Sequence, residues 1–116
     1  MLFVVSTPIG NLKDITLRAL EILKEVDLIL CEDTRVTRKL LDHYEIKTST
    51  ESYHHHTPER KVREIATRLQ RGENMALVTD AGTPGIADPG NKLIATLIKE
   101  SLGHLVSPVP GPSALT

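Results

Sequence analysis

Short apolar runs alternate along the chain with longer segments in which apolar residues recur every three or four positions. The runs are Leu2-Phe3-Val4-Val5, Leu28-Ile29-Leu30, a weaker stretch around Ile46 to Thr50, Met75-Ala76-Leu77-Val78, and His104-Leu105-Val106. The first, second and fourth are apolar without interruption, which is the pattern of strands covered on both faces in a parallel sheet. Between them the spacing predicts helices. Asp14 is placed to cap one that carries Ile15, Ala19, Leu20, Leu23 and Val26. Thr34 starts a second, with Val36, Leu40, Leu41 and Tyr44. Thr57-Pro58 reads as an N-cap followed by proline at the first helical position, ahead of Val62, Ile65, Ala66 and Leu69, with Gly72 as the stop. Asp88-Pro89 repeats that start signal ahead of Leu93, Ile94, Leu97 and Ile98, and Gly103 is placed to end the helix. The order βαβαβαβαβ predicts an α/β domain with an open, five-stranded parallel sheet and helices on both faces.

The chain has 116 residues, enough for one domain with a real core. Its single cysteine excludes an internal disulfide and suits a reducing compartment. The apolar start, Met1 to Val5, is too short to span a bilayer and lacks the basic flank of a signal peptide, so a cytoplasmic protein without membrane attachment is expected. A net charge of -1 argues against gripping nucleic acid by bulk charge. Basic residues still gather at Arg35, Arg38 and Lys39, and again at Arg60, Lys61, Arg63, Arg68 and Arg71. Solvated helix faces are the favoured reading of both groups, ahead of an RNA-contact patch. With 3% aromatic residues, a stacking platform for single-stranded RNA is not expected.

Ligands of open α/β sheets bind outside the carboxyl ends of the strands, and there the sequence becomes distinctive. The strands run into Ser6-Thr7-Pro8-Ile9-Gly10-Asn11, Glu32-Asp33-Thr34-Arg35, Ser52-Tyr53-His54-His55-His56, Thr79-Asp80-Ala81-Gly82-Thr83-Pro84-Gly85 and Pro108-Val109-Pro110-Gly111-Pro112-Ser113-Ala114. The opposite ends are plain turns, such as Glu25-Val26-Asp27 and Gly72-Glu73-Asn74. Taken singly, each cluster has an ordinary explanation. The glycines permit tight turns, the prolines stiffen loops, and Asp33 with Arg35 makes a common ion pair. Two long Gly/Pro loops on one edge ask for more, and a pocket wall built from backbone carbonyls supplies it.

Several familiar sites are missing. No G-x-G-x-x-G follows the first strand, and there is no G-x-x-x-x-G-K-[ST] and no G-x-S-x-G. Cys31 has no partners at zinc spacing, and His54 to His56 are adjacent rather than ligand-spaced, so no functional metal is expected. A phosphoacceptor receiver domain shares the strand pattern, but it needs paired acids after the first strand, where this chain has Ser6-Thr7-Pro8.

TPIGNLKDIT (Thr7 to Thr16), CEDTR (Cys31 to Arg35), SYH around Tyr53, TDAGTPGIADPG (Thr79 to Gly90) and PVPGPSAL (Pro108 to Leu115) follow one another over essentially the whole chain. Together they resemble the ribosomal-RNA-modifying branch of the tetrapyrrole methylase superfamily. Relatives that methylate tetrapyrroles carry a Gly-rich first loop, and Gly-Asp-Pro where this chain has Gly82-Thr83-Pro84. Both departures favour the RNA branch. His55-His56 departs from the acidic, Asn-containing third loop of that branch.

The resemblance implies strand order 3-2-4-1-5 and a second α/β domain. It implies S-adenosyl-L-methionine bound between the two domains, a homodimer, and 2′-O-methylation of a cytidine ribose in 16S ribosomal RNA or the assembled small subunit. Residues 1–116 would be the N-terminal domain, one wall of the cofactor cleft, inactive without the absent C-terminal domain. Pro8, Asp80, Gly82, Thr83, Pro84, Ser113 and Ala114 would face the cofactor. Arg35, Tyr53 and His54 would meet the RNA, and Glu32, Asp33 and Asp80 are the candidates for a proton acceptor. The rival expectations are a precorrin-type methyltransferase and a non-catalytic domain serving dimerisation or RNA docking.

Overall fold

The computed structural model describes residues 1–7, 12–54, 56–80 and 90–109. Five parallel strands form one sheet in the order β3-β2-β4-β1-β5. They are β1 (Leu2–Thr7), β2 (Leu28–Cys31), β3 (Thr50–Ser52), β4 (Met75–Asp80) and β5 (Val106–Val109). The helices are α1 (Leu17–Glu25), α2 (Thr34–His43), α3 (Glu59–Gln70) and α4 (Gly90–Lys99). Both the fold class and the expected strand order are present.

Strand alternation divides the core in two. Leu2, Leu28, Leu30, Met75 and Leu77 face Val62, Ile65, Ala66 and Leu69 of α3 and Leu93 and Leu97 of α4. Val5, Ile29 and Ala76 face Ala19, Ile22 and Leu23 of α1 and Leu40 and Leu41 of α2. The register Leu28↔Met75↔Leu2↔Val106 keeps each set on its own face. Chain direction explains the sharing of helices. β1 to β2 to β3 moves one way across the sheet, and β3 to β4 to β5 moves back. Right-handed crossovers therefore put α1 and α2 on one face and α3 and α4 on the other.

Several boundaries differ from the sequence expectation. Asp14 lies in a 3-10 turn, Leu12–Asp14, and Thr16 caps α1 by accepting from the Ala19 amide at 3.1 Å. Thr57 does not cap α3. Its hydroxyl accepts from the His54 amide at 2.9 Å, and Pro58 takes the cap position. β3 begins at Thr50, not Ile46, because Ile46 closes α2 instead. The Ile46 amide reaches back to the Leu41 carbonyl at 2.8 Å, and the side chain is buried. β5 runs over Val106–Val109, behind a 3-10 turn at Gly103–Leu105. As an edge strand paired only to β1, it accommodates Pro108. Asp88-Pro89, the expected start of α4, lies outside the described residues.

Three helices end in the same Schellman arrangement, each with one residue in the left-handed region: Glu45 (φ 56°) after α2, Gly72 (φ 98°) after α3 and Ser101 (φ 62°) after α4. The paired closing bonds are Ile46 to Leu41 and Glu45 to Asp42, Glu73 to Arg68 and Gly72 to Leu69, and Leu102 to Leu97 and Ser101 to Ile98. Ser101, not Gly103, therefore terminates α4. Only Gly72 takes this backbone without the Cβ penalty, so Glu45→Gly and Ser101→Gly are each expected to add about 0.5–1 kcal/mol of stability. Thermal melts of the single and double variants read this out, and Gly72→Ala should shift the midpoint the other way.

Candidate functional site at the carboxyl edge

Because all five strands are parallel, their carboxyl ends lie on one edge. The chain leaves β1 towards β2 and leaves β4 towards β5, in opposite directions and over opposite faces. The boundary between β1 and β4 is thus the topological switch point, the place where ligands of open α/β sheets bind. Thr7 and Asp80 are the last register pair there. The buried Thr7 hydroxyl donates to the Thr79 carbonyl at 3.2 Å and ties the two strand ends together. The amino edge is tied across as well. The Asp27 amide donates to the Asn74 carbonyl at 2.8 Å, and the Asn74 amide to Asp27 Oδ2 at 2.9 Å.

Of the expected cofactor-facing residues, Pro8, Gly82, Thr83, Pro84, Ser113 and Ala114 lie outside the described residues. Asp80 is at the switch point. Glu32 is exposed just past β2, and its carbonyl accepts from the Ser52 hydroxyl at 3.4 Å. Asp33 is the N-cap of α2. Its Oδ1 accepts from the Arg35 amide at 2.9 Å and from Arg35 Nε at 3.5 Å. These bonds, the backbone amide first, hold the Asp33 carboxyl below the usual range, which makes it a weaker proton acceptor. The Arg35 side chain is 89% exposed, so the pair itself is loosely held.

Tyr53 and His54 sit at the end of β3, in different environments. The Tyr53 ring is 0% exposed, packed among the residues that α3 and α4 cover. Contact between its hydroxyl and a phosphate or ribose would require the ring to leave the core. The hydroxyl has no hydrogen-bond partner among the described residues, and burial pushes its pKa up to about 12. His54 is bound into its own loop, with Nδ1 accepting from the His56 amide at 3.1 Å. Among the described residues no group of three or more potential metal ligands comes together.

The two basic groups separate. On α3, Lys61 pairs with Glu51 at 2.9 Å, Arg63 with Glu59 at 3.3 Å, and Arg68 with Glu73 at 2.8 Å and Glu51 at 3.7 Å. On α2, Arg38 instead serves the backbone, donating to the carbonyls of Thr48 at 2.9 Å and Ile46 at 3.4 Å. Sequence reasoning missed this role and that of Thr7. A basic residue on a helix that precedes an irregular segment gives little sign of which carbonyls it will meet.

Cys31 ends β2 with its thiol buried, and that burial pushes its pKa up. A thiolate-directed reagent should therefore leave the native chain unlabelled and modify it fully in denaturant. Fast labelling of the native chain would contradict the packing at this strand end.

Comparison with known proteins agrees with this architecture. The family model for Tetrapyrrole (Corrin/Porphyrin) Methylases matches residues 1–116. Proteins named ribosomal RNA small subunit methyltransferase I are similar over nearly the whole chain. The one from a Synechocystis strain is 51% identical, covering 99% of this chain and 40% of that protein. The one from Thermotoga maritima is 50% identical, covering 99% and 51%, and the one from Escherichia coli O157:H7 is 50% identical, covering 97% and 39%. This chain thus spans between about two fifths and half of these relatives. The crystal structure of a conserved hypothetical protein from Aeropyrum pernix K1 shares the fold, with TM-score 0.59 and 19% identity over 96% of this chain and 38% of that one. The chain belongs to the tetrapyrrole methylase family.

Proposed function

We propose that this chain forms one wall of an S-adenosylmethionine site in a methyltransferase acting on small-subunit ribosomal RNA, with the methyl group delivered to the 2′-oxygen of a cytidine ribose. The observation that carries the reading is the topological switch point between β1 and β4, whose strand ends lead in sequence into TPIGN and AGTPGIADPG. The half-identical relatives named as small-subunit ribosomal RNA methyltransferases support the substrate class. In this reading a second domain supplies the other wall, the 116-residue chain alone does not turn over, and the protein works as a cytoplasmic homodimer.

The edge suits the cofactor chemically. The amino groups and sulfonium of S-adenosylmethionine call for acceptors and negative charge, and strand-end carbonyls with an aspartate at position 80 provide both kinds of group. When bound, the cofactor supplies an electrophilic methyl on sulfur. The chain's task is to hold the site rigid and dry. Alignment of the ribose oxygen with the methyl is worth up to about 7–11 kcal/mol of the barrier. The 2′-hydroxyl must also lose its proton. Asp33 is spent on capping α2, which leaves Asp80 and Glu32, and Asp80 is the one at the switch point.

The test uses a protein that carries this chain followed by the second domain of its relatives, incubated with methyl-tritiated S-adenosylmethionine and small ribosomal subunits. Alkaline hydrolysis of RNA needs a free 2′-hydroxyl, so label in alkali-resistant dinucleotides is the expected result. Label released with mononucleotides would mean base methylation. Label in a tetrapyrrole but not in RNA would favour the rival substrate class.

A further inference from the structure

α2 turns a second feature towards solvent: an open depression lined by Thr34, Arg35, Arg38, Lys39, Asp42 and Thr50. It starts at the helix end next to the carboxyl edge and passes along α2 beside the edge strand β3. We propose that this depression is a docking groove for the phosphodiester backbone of the RNA strand, holding the strand beside the carboxyl edge of the sheet. The inference deepens the RNA-modifying reading above and rests on it.

Three observations carry the inference. First, the lining is rich in donors for phosphate: three cations and two hydroxyls against the one carboxylate of Asp42. Second, the charge is available. Arg35 pairs only loosely with Asp33, at 3.5 Å with both side chains exposed. Among the described residues no carboxylate reaches ion-pair distance of Arg38 or Lys39. Third, in the other basic group Lys61 and Arg68 are held by the half-buried glutamates Glu51 and Glu73, whereas among the described residues the three cations of the groove pair only with Asp33, loosely at Arg35. Arg38 adds rigidity. Its guanidinium is anchored on the carbonyls of Ile46 and Thr48 and lies within 3.5 Å of the Thr50 hydroxyl, so its charge is fixed in the groove. Arg35 and Lys39, four residues apart, share a helix face and supply two exposed cations. An overall charge of -1 leaves such a local patch as the means of holding a polyanion.

Fluorescence anisotropy with a labelled single-stranded RNA, without cofactor, tests the groove separately from methyl transfer. The double variant Arg35→Gln/Lys39→Gln, at exposed positions that leave the Arg38 anchor intact, is expected to bind about tenfold more weakly. Its salt dependence should flatten by about 1.4, the slope of two lost phosphate contacts on a single strand. The control variant Arg60→Gln/Arg71→Gln removes the same charge from α3 and its C-cap and should stay within about twofold of the unmodified chain. Equal weakening by both pairs would overturn the proposal, because it would reduce the groove to net charge. So would unchanged binding by the α2 pair, or absence of RNA binding by the unmodified chain. Methylation of subunits by the two-domain protein is scored independently, so a failed groove and a failed methyltransferase reading give different results.

Discussion

Tyr53→Ala is expected to cost about 3–5 kcal/mol of folding free energy, whereas Tyr53→Phe is expected to be neutral or to add about 1 kcal/mol. The ring is wholly buried between the sheet and the α3 and α4 layer, so truncation leaves a large cavity. Its hydroxyl is buried without a partner among the described residues, and an orphaned phenol loses its water bonds with nothing in return. The pH dependence follows in sign. Burial raises the native pKa from 10.0 to about 12, which favours the neutral form. That contribution is fully present below pH 10 and is lost as the pH rises towards 12. Chemical denaturation of both proteins between these values should show the unmodified chain losing stability faster than Tyr53→Phe. Equal slopes would mean that the hydroxyl meets water in the folded chain, and a large loss in Tyr53→Phe at neutral pH would mean that it has a partner.

Asp80→Asn is expected to lower methyl transfer by the two-domain protein about 10²–10⁴-fold, the range for losing a positioned proton acceptor, while Asp33→Asn stays within about threefold. Asparagine caps helices as well as aspartate does, so Asp33→Asn keeps α2 in place and removes only the weak base. Asp80 is the last register partner of Thr7 at the switch point, where a charge on the cofactor or a proton from the ribose would be met. Rates across pH separate two roles. Loss of a base removes the acid limb of the kcat profile, whereas loss of a cofactor contact raises KM for S-adenosylmethionine and leaves the limb. If Asp33→Asn were the severe variant, the catalytic assignment at this edge would have to move to the loop after β2.

The parallel sheet was legible because the uninterrupted runs at Leu2, Leu28 and Met75 are short and alternate with helical patterns, which fits strands covered on both faces. The errors share one physical cause, since an apolar or capping residue serves several local structures equally well. Ile46 looked like a strand and proved to be the buried residue that closes α2. Ser101 accepts a left-handed backbone that sequence reasoning gave to Gly103. Thr57 bonds backward to His54 instead of forward into α3. At the carboxyl edge, the residue types were visible from the strand ends, but their surroundings were not. Nothing in the local sequence around Tyr53 says that its ring turns into the core, and nothing around Arg38 says that it will hold the carbonyls of Ile46 and Thr48.

The most direct test of the central claim is a titration of S-adenosylmethionine into the isotope-labelled chain, followed by amide NMR, which registers even the weak binding expected of a single wall. Shifts are expected at Thr7, Thr79 and Asp80 and in the segments that follow them, with Asp27, Gly72 and Asn74 on the amino edge unmoved. Shifts centred on the amino edge, or none at the β1/β4 boundary with the cofactor in large excess, would contradict the claim.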